Sequence, residues 1–282
     1  MLWLPNGAGE ALGDVLATGK NLVELAGSVY YVGPTNAADA SNSGLEALRP
    51  FATIGQANTT AGDDDIVVLM DGFSETITAM VTIAEKIIFA GGGQSSGQPR
   101  ASLTLNAAAT TMLTVSGSDV EFRNIKFPAP AQSNTSPRII LSGDDILFKD
   151  CRFEVNGFDA GSAVIRLNTG ADRIRFDGCT FVNTATSVSA RPCSAIGLNA
   201  GATCARVDIH NCTFDGGTVG WLNDGSGAGK DGHAVDFTGG TLTRFRGSNN
   251  TFLRGADIAF AGTELGFLQA SIISGGAFVS YP

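Results

Sequence analysis

The stretch Ile174-Arg175-Phe176-Asp177-Gly178-Cys179-Thr180-Phe181 is one copy of a pattern that the chain writes repeatedly. It stands beside Val120-Glu-Phe122-Arg-Asn124-Ile125-Lys-Phe127, Ile146-Leu-Phe148-Lys-Asp150-Cys151-Arg-Phe153 and Val207-Asp-Ile209-His-Asn211-Cys212-Thr-Phe214, with a weaker echo from Phe245 to Phe252. The closing phenylalanines, Phe127, Phe153, Phe181, Phe214 and Phe252, lie 26, 28, 33 and 38 residues apart. A fixed element with lengthening intervals marks a solenoid whose loops grow on one side.

Within a copy the residues alternate as in strands. Val120 and Phe122 share a face, as do Ile125 and Phe127, and the step between the pairs leaves room for a corner at Arg123-Asn124. That corner reads Asn124, Asp150, Gly178, Asn211 and Asn249, residue types that tolerate a left-handed backbone. A further apolar strand precedes each copy (112–115, 139–141, 164–167, 195–198 and 234–237) and is followed by a turn containing Gly117, Gly143, Gly170, Gly201 or Gly239. Three short strands per turn, with like residues recurring at like places, predict an all-β parallel β-helix of about seven coils. Cys151, Cys179 and Cys212 occupy one place in successive copies and are expected as a reduced, buried stack with Ile125. With Cys193 and Cys204 the cysteines number five, an odd set without metal-ligand spacing, so neither a metal nor another cofactor is expected.

Upstream, Tyr30-Tyr-Val32, Pro50-Phe-Ala-Thr-Ile54-Gly-Gln-Ala57, Gly62-Asp-Asp-Asp65-Ile-Val-Val-Leu69, Asp71-Gly-Phe73-Ser-Glu75 and Lys86-Ile-Ile-Phe-Ala-Gly91 resemble the opening of right-handed parallel β-helices of the pectate-lyase and phage-tailspike type. The resemblance spans roughly 30–260 and implies a short helix near 53–61 that plugs the end of the solenoid. The expected organisation is an N-terminal attachment segment, 1–28, and a β-helix, 29–282. In the first segment Leu12, Val15, Leu16, Leu22, Val23 and Ala26 have helical spacing behind Leu2, Trp3 and Leu4. Its apolar side chains either fold back on the first coil or dock on another subunit, and Leu2, Trp3, Leu4, Leu12, Val15 and Leu16 are the candidate contact residues.

The formal charge of −9 disfavours nucleic acid and anionic membranes as partners unless a local basic patch exists. No apolar run is long enough to span a bilayer, and the first residues do not read as a secretory signal. The variable loops (128–137, 154–162, 182–194, 215–233 and 253–257) leave from one corner and present a surface, on which Trp221 and Leu222 are the candidate contact residues.

Enzymatic candidates are Asp63-Asp-Asp65, Asp144-Asp145, Asp172-Arg173, and Asp231 with His233 and Asp236. Hydrolysis of a glycosidic bond calls for two carboxyls facing across it, and no pair is so placed by sequence logic. A calcium-dependent lyase calls for clustered acids along one groove and a basic residue to take the proton; Asp144-Asp145 and Asp172-Arg173 occupy equivalent turns and can form such a small acidic ladder, although Asp in a tight corner usually caps turn amides. An N-terminal adhesive segment ahead of a capped solenoid resembles the particle-binding arrangement of phage spikes, and that resemblance implies a non-enzymatic virion structural protein made in the host cytoplasm, a capsid decoration or head spike that binds shell subunits and forms a homo-oligomer such as a trimer. The second reading is a phage tailspike or fibre that binds or depolymerises host surface polysaccharide.

Overall fold

Alternation and repetition together dictate stacked coils, and the computed structural model has them. It describes residues 27–93, 100–105, 111–129, 137–156, 163–186, 194–218, 221, 233–254, 256, 258–260, 268–269 and 272–274. All strand pairing is parallel, in three sheets. With strands numbered in chain order, sheet A stacks β1 (Val29–Val32), β2 (Asp65–Leu69), β5 (Ile87–Gly91), β8 (Glu121–Arg123), β11 (Leu147–Lys149), β14 (Ile174–Asp177), β17 (Thr203–His210), β20 (Thr241–Ser248) and β23 (Leu268–Gln269). Sheet B stacks β3 (Ser74–Ile77), β6 (Ser102–Leu105), β9 (Lys126–Phe127), β12 (Arg152–Val155), β15 (Thr180–Asn183), β18 (Thr213–Asp215), β21 (Thr251–Leu253) and β24 (Ile272–Ser274). Sheet C stacks β4 (Val81–Ile83), β7 (Leu113–Val115), β10 (Ile139–Leu141), β13 (Ala163–Leu167), β16 (Ser194–Leu198), β19 (Val235–Phe237) and β22 (Ile258–Phe260). The chain visits A, B and C in turn, so the protein is a parallel β-helix.

The repeated phenylalanines form two ladders inside it. Phe89, Phe122, Phe148 and Phe176 of sheet A stack at 5.3, 4.8 and 5.2 Å between ring centroids. Phe127, Phe153, Phe181, Phe214 and Phe252 of sheet B stack at 4.7, 4.8, 4.8 and 5.1 Å. The ladders meet edge to face, as at Phe148 and Phe153, 5.7 Å apart. Offset-stacked and edge-to-face rings are the favoured aromatic geometries, and the strand spacing supplies the first automatically. Ile125, Cys151, Cys179 and Cys212 fill the corner between the ladders and are at most 1% exposed. Their sulfurs lie against main-chain carbonyls, Cys151 Sγ on Phe122 O at 3.4 Å and Cys179 Sγ on Phe148 O at 3.3 Å, and burial pushes both thiols well above their ordinary range. Cys193 lies outside the described residues.

The corner between sheets A and B is left-handed at every copy, with φ of 53° at Asn124 and Asp150, 67° at Gly178, 55° at Asn211 and 54° at Asn249. Side chains link successive corners: Asn124 Nδ2 donates to Gly91 O, Asn211 Nδ2 to Asp177 Oδ1 and Asn249 Nδ2 to Asn211 Oδ1. Gly178 breaks the series because a Cβ there would meet Asp150 Oδ1 at 2.2 Å.

The helix implied by the resemblance is α1 (Ile54–Thr60). Thr53 Oγ1 accepts from Gln56 N, and Asp39 accepts from the amides of Ala52 and Thr53. Ile54 N donates to Glu75, whose carboxyl burial raises above its ordinary range. Ile54 and Ala57 enter the main core beside Val32 and Phe51.

Phe181 touches ladder partners on both sides and is fully buried. Phe181→Ala is expected to destabilise the protein by about 3–5 kcal/mol in urea unfolding. In the native protein at pH 8, iodoacetamide is expected to modify Cys151, Cys179 and Cys212 no faster than global unfolding exposes them.

Candidate functional site

The acidic residues singled out in the sequence are spent on turns and on contacts between coils. Asp65 accepts from Ser28 N and Gly62 N, Asp63 accepts from Lys86 N, and Asp64 pairs with Lys86 at 3.0 Å. Asp144 and Asp145 do not form an open acidic ladder, because Arg173 from the next coil reaches both at 3.1 and 2.7 Å. Its hydrogen bond holds the Asp145 carboxyl below the usual carboxylate range. Asp172 Oδ1 accepts from Ala205 N of β17 in the next coil, a contact between coils rather than the capping of its own turn that was expected. Asp236 lies on β19 and accepts from Thr238 N and Oγ1 at 2.8 and 2.6 Å, while Asp231 lies outside the described residues. Among the described residues, no three of His, Cys, Asp or Glu gather around a common point fit for a metal ion.

Trp221 is not presented on the loop edge. It is 3% exposed and packs in the main core, because a large ring beside an apolar interior gains more from burial than from solvent. Its Nε1 has no hydrogen-bond partner among the described residues. Leu222 and the candidate contacts Leu2, Trp3, Leu4, Leu12, Val15 and Leu16 lie outside the described residues, as does most of the loop edge.

A denser array of functional groups stands on the outer face of sheet A, which sequence reasoning passed over. The inward residues of each strand are the repeated apolar ones, so the residues between them point out, and parallel register then sorts them into rows. One row runs Lys149, Asp177, His210, Ser248 across β11, β14, β17 and β20. The row beside it runs Leu147, Arg175, Asp208, Arg246, and Arg206 lies opposite Arg244 one step further along. Neighbours within a row are about 4.8 Å apart.

His210 Nδ1 and Ser248 Oγ are 2.6 Å apart. Asp177 is held by Arg175 at 3.3 Å and by Asn211 Nδ2 at 2.9 Å. Arg206 clamps Asp208 with two hydrogen bonds, one of 3.0 Å from Nε, and the Asp208 side chain is only 9% exposed. Lys149, Arg244 and Arg246 have no ion pair among the described residues. The two rows and the Arg206–Arg244 pair thus carry Lys149, Arg175, Arg206, Arg244 and Arg246 against Asp177 and Asp208, a basic surface on an acidic protein. Acid returns at the rim, where Asp144 and Asp145 hold Arg173 and Asp144 Oδ1 accepts from Asp172 N. Leu147, partly exposed, gives the array one apolar spot.

No family model matches the chain, and no curated protein matches it. Among solved structures it is similar to a rhamnogalacturonan lyase, with 14% identity over 81% of this chain and 69% of that one and a TM-score of 0.46. It is likewise similar to the pectate lyase Pel9A, with 13% identity over 87% of this chain and 74% of that one and a TM-score of 0.46. The expectation of a non-enzymatic protein is corrected here: the similar structures are lyases. The lyase reading was weighed on clustered acids at Asp144-Asp145 and Asp172-Arg173, whereas elimination at its simplest needs one base and a neutralised carboxylate.

Removing Arg206 would strand a nearly buried carboxylate. Arg206→Ala is expected to lower stability by about 2 kcal/mol in chemical denaturation, and Arg206→Ala in an Asp208→Asn background by clearly less.

Proposed function

We propose that the protein binds acidic polysaccharide along the outer face of sheet A and cleaves it by β-elimination. The observation that carries this reading is the placement of Lys149, Arg244 and Arg246, cations without ion-pair partners among the described residues, on the same face as the His210–Ser248 pair. Such a surface attracts an extended polyanion against the negative charge of the whole protein. Leu147 supplies an apolar contact for the C–H face of a sugar ring.

Elimination requires three things of this face. A cation must lie on the uronate carboxylate to make the adjacent carbon acidic, a base must take that carbon's proton, and the glycosidic oxygen must leave with a proton. Lys149 and Arg246 take the first role. His210 takes the second: with Nδ1–H donating to Ser248 Oγ, Nε2 keeps its lone pair for the substrate. The electron pair released from the C–H bond forms the C=C bond and breaks the C–O bond, and water protonates the departing oxygen. The same face would serve a spike or fibre that grips host polysaccharide, so binding and cleavage are measured separately.

Incubation with polygalacturonate, alginate and host capsular polysaccharide, followed by the absorbance of unsaturated uronate ends, tests the reading. Wild-type protein is expected to release product from at least one of them. His210→Ala is expected to slow release by about 10²–10⁴-fold with binding retained, and Arg246→Gln or Lys149→Met to weaken binding. Absence of product from every polyuronate, with binding indifferent to Arg246→Gln, would discard it.

A further inference from the structure

Charge is not spread evenly from coil to coil along the outer face of sheet A. Lys149 stands at the β11 end and Arg244 and Arg246 at the β20 end, and none of the three has an ion-pair partner among the described residues. Arg100 reaches the first end as well, where its Nη1 donates to Asp150 O at 2.9 Å, one residue beyond Lys149. Between the ends, each strand carries a guanidinium and a carboxylate that already hold each other: Arg175 with Asp177 on β14, and Arg206 with Asp208 on β17. The Asp177 carboxylate also accepts from Asn211 Nδ2. From β11 to β20 the face therefore reads cation, neutral, neutral, cation.

The order of strands sets the spacing. β11 and β20 are three strand spacings apart, about 14 Å. In an extended glycan one pyranose residue advances by nearly one strand spacing, so a chain lying along the rows places successive sugars over β11, β14, β17 and β20. A carboxylate over Lys149 or Arg246 finds a cation. One over β14 or β17 meets a guanidinium whose charge is already cancelled and stands beside Asp177 or Asp208, so it must break an ion pair or bear the repulsion. A neutral sugar suits those two strands better, because its hydroxyls donate to the carboxylate and accept from the remaining N–H groups of the guanidinium. Arg246 is one strand from His210 and Lys149 two, so the two cations serve different sugars, and the uronate on Arg246 is the one nearer the base.

We infer that this face selects a heteropolysaccharide in which neutral sugars separate the uronates, and that it disfavours a homopolyuronate. The selectivity rests on sheet A being the polysaccharide surface, and adds to it the charge pattern of the glycan.

Calorimetric titration of the full chain at one ionic strength reads the selectivity, with oligosaccharides of equal length, each long enough to carry two uronates. Oligogalacturonate bears a carboxylate on every sugar, hyaluronan on every second and deacylated gellan on every fourth. Hyaluronan or gellan is expected to bind about tenfold or more tightly than oligogalacturonate, although each carries fewer charges. Asp177→Asn, which releases Arg175, is expected to narrow that gap by tightening oligogalacturonate. Equal or tighter binding of oligogalacturonate by the wild type, or a gap that Asp177→Asn leaves unchanged, would overturn the selectivity; weaker binding in Arg246→Gln would show that the surface itself still stands. Binding of none of the three, or binding that Lys149→Met and Arg246→Gln both leave unchanged, would overturn the surface and the selectivity together.

Discussion

Everything in this protein depends on parallel register between successive coils. Once β8, β11, β14 and β17 are aligned, each inward side chain rests on its equivalent one strand spacing away. The phenylalanine ladders follow from that constraint, because rings about 4.8 Å apart with matched rotamers are already offset-stacked. So does the cysteine stack, where a small apolar residue fits the corner that the two ladders leave. The left-handed corner at Asn124, Asp150, Gly178, Asn211 and Asn249 keeps the coils equal in shape, and without it the register would drift.

The same constraint builds the outer face. A residue that varies from copy to copy is brought beside its counterpart whatever its identity, so Lys149, Asp177, His210 and Ser248 become neighbours although 28, 33 and 38 residues separate them in turn. The interior tolerates few changes at a given place, whereas the exterior is free to assemble cations, a histidine and a serine on a rigid platform. Rigid strands hold such groups more closely than loops do. Arg206 with Asp208 and Arg175 with Asp177 fix part of the array internally, which leaves Lys149, Arg244 and Arg246 for a ligand.

The fold was legible because its determinants repeat. Phe127 to Phe252, the cysteines and the corner asparagines each announce a place in the coil, whereas α1 was expected only from the resemblance of the stretch around Pro50 to Ala57. The site was not legible, because its members do not repeat: Lys149, Asp177 and His210 share no chemistry, and only register shows that they share a row. For Trp221 two readings stood open, a contact on the loop edge or an anchor on its own coil, because a lone aromatic ring in a glycine-rich loop has no periodic partner to decide between them; its burial favours the anchor. The acidic pairs drew attention by adjacency in sequence, yet they are spent on contacts between coils, as Arg173 on Asp144 and Asp145 shows.

The claim that the outer face of sheet A is the working surface can be tested with the protein's two histidines. His210 stands within the array, whereas His233 precedes β19 of sheet C. Diethylpyrocarbonate modification, followed by peptide mapping with and without a bound acidic oligosaccharide, compares the two in one sample. Protection of His210 with His233 unchanged is the predicted result. Protection of His233 alone, or of neither while the ligand is bound, would place the ligand elsewhere and contradict the account.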